Sequence, residues 1–205
     1  MTDKVRYDAA SITVLTGLEA VRRRPAMYIG GEDVHPNPSV RLLEATVKGI
    51  IDERPQEVRI LLWREGAVTI AYDGEPLPIE PFSLPTDGVP HPALYRSFLS
   101  MPMGPLYFCA VLNALSERLV VSTMHAGKCY RVVFAKGGIV SLLRRTYCKR
   151  PLGTTWLTYL CDMTMLPGDA LTPEDVRGVI ERIERDSEGV AIRFEDRMTE
   201  DADMD

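Results

Sequence analysis

The sequence predicts an α+β domain, and three features point to it. Helical patterns with proline stops occupy the first quarter of the chain. Short runs of β-branched and aromatic residues then follow one another at hairpin and meander spacing, and one strongly capped helix and a last strand close the order. With 205 residues, 45% of them hydrophobic and 26% charged, the chain has the size and composition for one substantial core.

Taken in order, Thr16 is placed to cap a helix with Glu19 three residues on, and that helix must stop before Pro25. Residues 1–15 are then an exposed arm. A second helix is predicted over 41–54, with Leu42, Leu43, Val47, Ile50 and Ile51 as its apolar surface and Pro55 as its end. Runs at 58–63 and 67–72 read as a hairpin joined by Arg64-Glu65-Gly66. Six prolines from Pro76 to Pro92 exclude regular structure there. Short helices at 93–99 and 106–115 precede strands at 119–123, 130–135, 139–146 and 154–160. Thr172-Pro173-Glu174-Asp175 starts a helix whose buried stripe is Val176, Val179, Ile180 and Ile183. A strand at 190–194 follows, and the acidic remainder is expected to fray.

Several function classes are disfavoured by composition. Net charge is -5, and the basic clusters are short (Arg22 to Arg24, Arg144 with Arg145, Lys149 with Arg150), so no broad surface for nucleic acid is visible. Cys109, Cys129, Cys148 and Cys161 form no Cys-x-x-Cys pair, which argues against structural zinc and for reduced thiols near the core. No run is long enough to span a membrane, and the first residues lack the apolar core of a signal peptide. A cytoplasmic protein without a metal is the expectation.

One stretch is more specific than any pattern. Tyr7, Asp8, Ser11, Ile12, Val14, Leu15, Gly17, Leu18, Ala20, Val21, Arg22, Arg24, Pro25, Met27, Tyr28, Ile29 and Gly30 stand in one collinear register, and Asn113-Ala114-Leu115-Ser116 and Gly153-Thr154-Thr155 add to it. In these residues the chain resembles the N-terminal ATP-binding domain of the DNA gyrase B and topoisomerase IV B subunits, members of the GHKL superfamily. The resemblance implies a Bergerat-type two-layer sandwich: a mixed, largely antiparallel sheet with helices on one face. It also implies an arm over 1–15 and the ATPase-like domain over 16–196, leaving 197–205 as an acidic tail. The expectation is a stand-alone domain without the transducer and DNA-cleaving regions of the family.

The resemblance further implies where ATP chemistry would sit. Glu44 falls at the general base and Lys48 at the magnesium-holding asparagine. Lysine has no lone pair to offer a metal, and at i and i+4 the two side chains should pair, lowering the basicity of the carboxylate. Tyr72 occupies the adenine-reading aspartate, and Pro76 replaces the second glycine of the motif that holds Asp73 and Gly74. Asp73 could read adenine only if the strand slipped by one residue, which would reverse its neighbours. The glycine-rich lid is reduced to Gly104, and Met101, Met103, Leu106, Tyr107 and Phe108 are expected to pack over the vacated cavity. Thr154 matches the threonine that supports the adenine-binding aspartate.

The expectation is a pseudo-ATPase without cofactor, associating through the arm residues Tyr7 and Ile12 either as a homodimer or with a gyrase or topoisomerase IV B subunit. The alternative is an ATP- and Mg2+-binding domain with a rearranged site of Glu44, Lys48, Asp73, Gly74 and Thr154. A third reading makes Tyr72, Trp63 and Trp156 the walls of a pocket for another small molecule.

Overall fold

Among the described residues, nine strands build a seven-stranded sheet and a separate two-stranded ladder. The computed structural model describes residues 18–83, 90–100, 106–148, 150–186 and 189–204. The arm with Tyr7 and Ile12, the cap Thr16, and Met101, Met103 and Gly104 of the shortened lid lie outside the described residues.

The helices are α1 (Glu19–Arg23), α2 (Ala26–Ile29), α3 (Pro38–Ile51), α4 (Leu94–Leu99), α5 (Tyr107–Leu115) and α6 (Pro173–Asp186). The strands are β1 (Glu57–Trp63), β2 (Val68–Tyr72), β3 (Pro81–Ser83), β4 (Pro90–Pro92), β5 (Ser116–His125), β6 (Lys128–Ala135), β7 (Gly138–Thr146), β8 (Thr155–Cys161) and β9 (Ala191–Arg197). The main sheet runs β7-β6-β5-β8-β2-β1-β9, antiparallel except where β9 joins β1 in parallel. The α+β class and the mixed, largely antiparallel sheet are those the sequence predicts.

Strand residues that alternate inward, among them Ile60, Leu62, Ile70, Val121, Val132 and Leu157, meet Leu43, Val47, Leu112, Val176 and Val179 of the helices in one core. A smaller cluster of Ala71, Cys129 and Trp156 lies on the other side of the sheet. Both tryptophans serve the sheet: Trp156 in that cluster, and Trp63 through its indole N–H, which donates to Thr69 Oγ1 at 2.8 Å.

The structure adds α2 beyond Pro25 and starts β5 at Ser116 rather than 119, and three further differences from the sequence reading have a clear physical cause. Helix α3 begins at Pro38 rather than at 41, because Asn37 caps it by accepting from the Ser39 N–H at 2.9 Å and Pro38 suits the first helical position. The proline-rich stretch contributes the β3–β4 ladder, kept to three pairs centred on Phe82↔His91 because its flanking prolines have no N–H to donate. Beyond β9 the acidic segment does not fray: the Arg64 N–H donates to Glu200 O at 3.0 Å, and Arg131 pairs with Asp203 at 2.8 Å. Helix α6 starts as expected, its Thr172 and Asp175 exchanging backbone-to-side-chain bonds in a capping box. Among the described residues no helix is long and apolar enough to cross a membrane.

Candidate functional site

Helix α3 buries Leu42, Leu43, Val47 and Ile50 completely and carries Glu44 on the flank of that face, only 6% exposed. Both carboxylate oxygens are occupied. Lys48 Nζ donates to Oε1 at 2.8 Å, one helical turn along, as the i, i+4 spacing predicts. Arg182, brought by α6, donates to Oε2 through Nε at 2.9 Å and through Nη2 at 2.8 Å. Burial works to raise the Glu44 pKa, but the bonds from Lys48 and Arg182 outweigh it and the carboxyl sits below its ordinary value. A carboxylate so held is a poor proton acceptor at neutral pH, and a general base is effective when its pKa lies near the working pH. Lys48 is drawn further into the charge group by Asp186 on α6, 4.0 Å away.

Tyr72 ends β2 with its ring on the helix side of the sheet, 3% exposed and part of the main core. Its phenol shares a hydrogen bond with Thr155 and lies close to Cys109 of α5, and burial drives its pKa far upward. Thr155, directly opposite Tyr72 in the β2–β8 register, is fully buried and its hydroxyl also meets that of Thr123 at 3.1 Å. Thr154 instead touches this region through its backbone, its N–H donating to Tyr72 O at 2.9 Å and its carbonyl accepting from Met124. Gly153 permits that approach, since a Cβ there would stand 2.6 Å from the Tyr72 carbonyl oxygen.

Asp73 is exposed and turned to the start of β1, where Oδ1 accepts from the N–H groups of Gln56 and Glu57 at 2.9 and 3.1 Å. Gly74 sits against the Tyr72 ring, and after Pro76 the chain is tied to β5 by Leu77, whose N–H donates to Thr123 Oγ1 at 3.0 Å. Thus Glu44 and Lys48 come together, while Asp73 and Thr154 do not join them.

Phe108 of α5 is buried directly against the α3 backbone at Gly49, the residue after Lys48; a Cβ on Gly49 would stand 2.5 Å from the Phe108 ring. Leu106 enters α5 at φ 65° and packs on the core with Phe108, whereas Tyr107 is exposed, so of the three described residues expected to pack inward Tyr107 does not. Among the described residues, four cavities are lined by other residues than Glu44 and Lys48; one of about 360 Å³ lies on the far face of the sheet, between Glu57, Arg59, Asp73, Gly153 and Glu195.

No protein-family model matches the sequence. The chain is 30% identical over 209 residues to the DNA gyrase B protein of Thermus thermophilus, a match that covers 93% of this chain and 32% of the relative. It is also 30% identical over 165 residues to the DNA topoisomerase 4 B protein of Rickettsia bellii, covering 73% of this chain and 25% of that one. Among solved structures, the 43K ATPase domain of Thermus thermophilus gyrase B, crystallised in complex with an aminocoumarin, matches with a TM-score of 0.70 at 28% identity, over 91% of this chain and 50% of that one. The chain is a homologue of DNA gyrase B. It carries the fold of the gyrase B ATPase domain and spans about a third of the length of its gyrase B relative.

In this gyrase B-like domain the matched N-terminal motif does structural work through Arg22. Its Nη1 donates to the Ala114 carbonyl at 2.7 Å and its Nη2 pairs with the fully buried Asp162 at 2.9 Å, locking α1 to the end of α5 and of β8. Sequence reasoning missed three residues of consequence: Arg182, Thr155 and Asp162. For Arg182 a signal existed, since it borders the buried stripe of α6, but nothing in that stripe names the helix it faces. For Thr155 the signal is parity: the residue opposite Tyr72 shares its face of the sheet.

Proposed function

We propose that this chain is a gyrase B-like domain that does not turn over ATP and that acts by association, with a second copy of itself or with a gyrase or topoisomerase IV B subunit. The observation that carries the proposal is Glu44, with both oxygens taken by Lys48 and Arg182. Magnesium favours oxygen ligands, and the Lys48 ammonium has no lone pair to give. Tyr72 fills the place at which the resemblance puts adenine recognition, and its phenol, bonded to Thr155 and held protonated by burial, is no substitute for a carboxylate acceptor. ATP with magnesium therefore does not fit the residues present. The arm enters the proposal only through its sequence, where Tyr7 and Ile12 keep the family register.

Two measurements test the two halves. Calorimetric titration with a non-hydrolysable ATP analogue, with and without magnesium, should give no binding heat, and steady-state phosphate release should stay at background. Turnover that disappears in Glu44→Ala would overturn the proposal. Sedimentation of the chain alone and mixed with a purified gyrase B protein should reveal a complex that Tyr7→Ala weakens; a monomer in both experiments removes the association half.

A further inference from the structure

Outward-facing residues of the sheet, on the side away from the helices, include Leu61, Val120 and Val133, yet each is buried. Across this face runs the acidic segment 198–204. It is gripped by arginines from three separated places in the sheet. Arg64, at the end of β1, donates from Nη2 to the Thr199 carbonyl at 2.8 Å and pairs with Asp201 at 3.1 Å. Arg131 of β6 pairs with Asp203 at 2.8 Å and is itself steadied on Ser122. Arg118 of β5 donates from Nε to the Met204 carbonyl. Residues 198–200 turn away from the end of β9, the Glu200 N–H donating to Arg197 O at 2.8 Å, and 201–204 carry the chain on to the arginines of β5 and β6.

We propose that this face is a docking surface for an acidic polypeptide segment of a partner protein, and that residues 198–204 occupy it from within the same chain. Two features support a peptide as the occupant. The arginines bind main-chain carbonyls as well as carboxylates, so the surface reads a peptide backbone and its acidic side chains together, which a nucleic acid strand does not supply. The grip is also asymmetric. Arg131 is 14% exposed and built into the sheet, whereas Asp203 and Asp201 are 67% and 76% exposed. Exposed ion pairs of this kind contribute little to stability, so the segment is replaceable, while Arg131 is held in the sheet and Arg64, 52% exposed, stands at its rim. The surface lies on the opposite side of the sheet from Glu44 and does not depend on whether nucleotide binds.

The test uses a fluorescein-labelled peptide with the sequence of residues 198–204, followed by anisotropy at low salt against the whole chain, a D201N/D203N variant and a variant ending at Arg197. The shortened variant should bind the peptide at least tenfold more tightly than the whole chain, with D201N/D203N in between. R118A/R131A in the shortened variant should abolish the gain. Competition should follow charge and backbone: a peptide with asparagines for its aspartates, and a single-stranded oligonucleotide of equal charge, should compete at least tenfold less well. Equal affinity for whole and shortened chains, or an oligonucleotide competing as well as the peptide, overturns the proposal. Should the shortened variant fail to fold, unchanged peptide affinity in D201N/D203N overturns it alone.

Discussion

Glu44 on α3 and Asp162 after β8 are two buried carboxylates, each held by an arginine far along the chain, 138 and 140 residues away. Asp162 shares its lone pairs between one cation and a local turn: Arg22 on Oδ2, and the N–H and hydroxyl of Thr164 on Oδ1. The arginine has a second partner, the Ala114 carbonyl, and the Asp162 N–H donates to Leu115 O at 2.9 Å, so the group joins three elements. Glu44 receives bonds from cations on both oxygens, with Lys48 from its own helix and Arg182 from α6. The first arrangement is a joint, in which charge and neutral donors complete one another. The second is a neutralised acid, in which the group that resembles a catalytic base has been made into a helix-to-helix tie. Burial and an arginine are common to both; the identity of the other donors separates them.

The largest expected effect is on the joint. Arg22→Ala leaves Asp162 buried without its cation and should cost about 3 kcal/mol, read as a shift in the urea midpoint. If it costs no more than changes around Glu44, the joint and the tie are one kind of device. Glu44→Gln should cost about 1 kcal/mol, because the amide keeps an acceptor for Arg182 but loses the charge, and it should leave phosphate release at background. Any loss of activity in that variant would turn the tie back into a catalytic site.

A third expectation concerns pH. In the fold both carboxyls sit below their ordinary values of 4.5 for Glu44 and 3.8 for Asp162; burial opposes this in each, and it is outweighed by Lys48 and Arg182 in one and by Thr164 and Arg22 in the other. A depressed folded-state pKa contributes stability that is present above the unfolded-state value and lost as pH falls through the folded one. Stability should therefore decline progressively below pH 4.5, and Glu44→Gln and Asp162→Asn should each remove part of that slope in denaturation curves recorded from pH 6 downward. The smallest effect belongs to Lys48→Ala. Its ammonium is 44% exposed although Glu44 is buried, and with Arg182 still bound to the carboxylate the lost i, i+4 pair should cost about 0.5 kcal/mol. A loss above about 1 kcal/mol would mean that Lys48, not Arg182, is the main tie on Glu44.

Local chemistry is legible in the chain. Thr172-Pro173-Glu174-Asp175 announces α6 because a capping box is completed within one turn, and Glu44 with Lys48 pair because i, i+4 neighbours share a helix face. The start of α3 is written in Asn37-Pro38, although apolar periodicity alone places it three residues later. Other features have no local signature. Thr154 and Thr155 differ by one position, and the pairing of β8 with β2 alone decides which hydroxyl lies under Tyr72. The segment 198–204 reads as a solvated acidic run until Arg64, Arg118 and Arg131 are brought onto one face.

By itself, then, the sequence determined the order of the main helices and strands, though not α2 or the β3–β4 ladder, together with the resemblance to gyrase B and the Glu44–Lys48 pair, all of which depend on neighbours within a few residues or on a collinear motif. Only the tertiary structure decided that Arg182 closes the other side of Glu44, that Thr155 supports Tyr72, and that the acidic segment lies on a row of arginines. The first of these contacts joins residues 138 positions apart. Periodicity tells which face of an element is buried, but the partner that covers it is chosen when the faces pack.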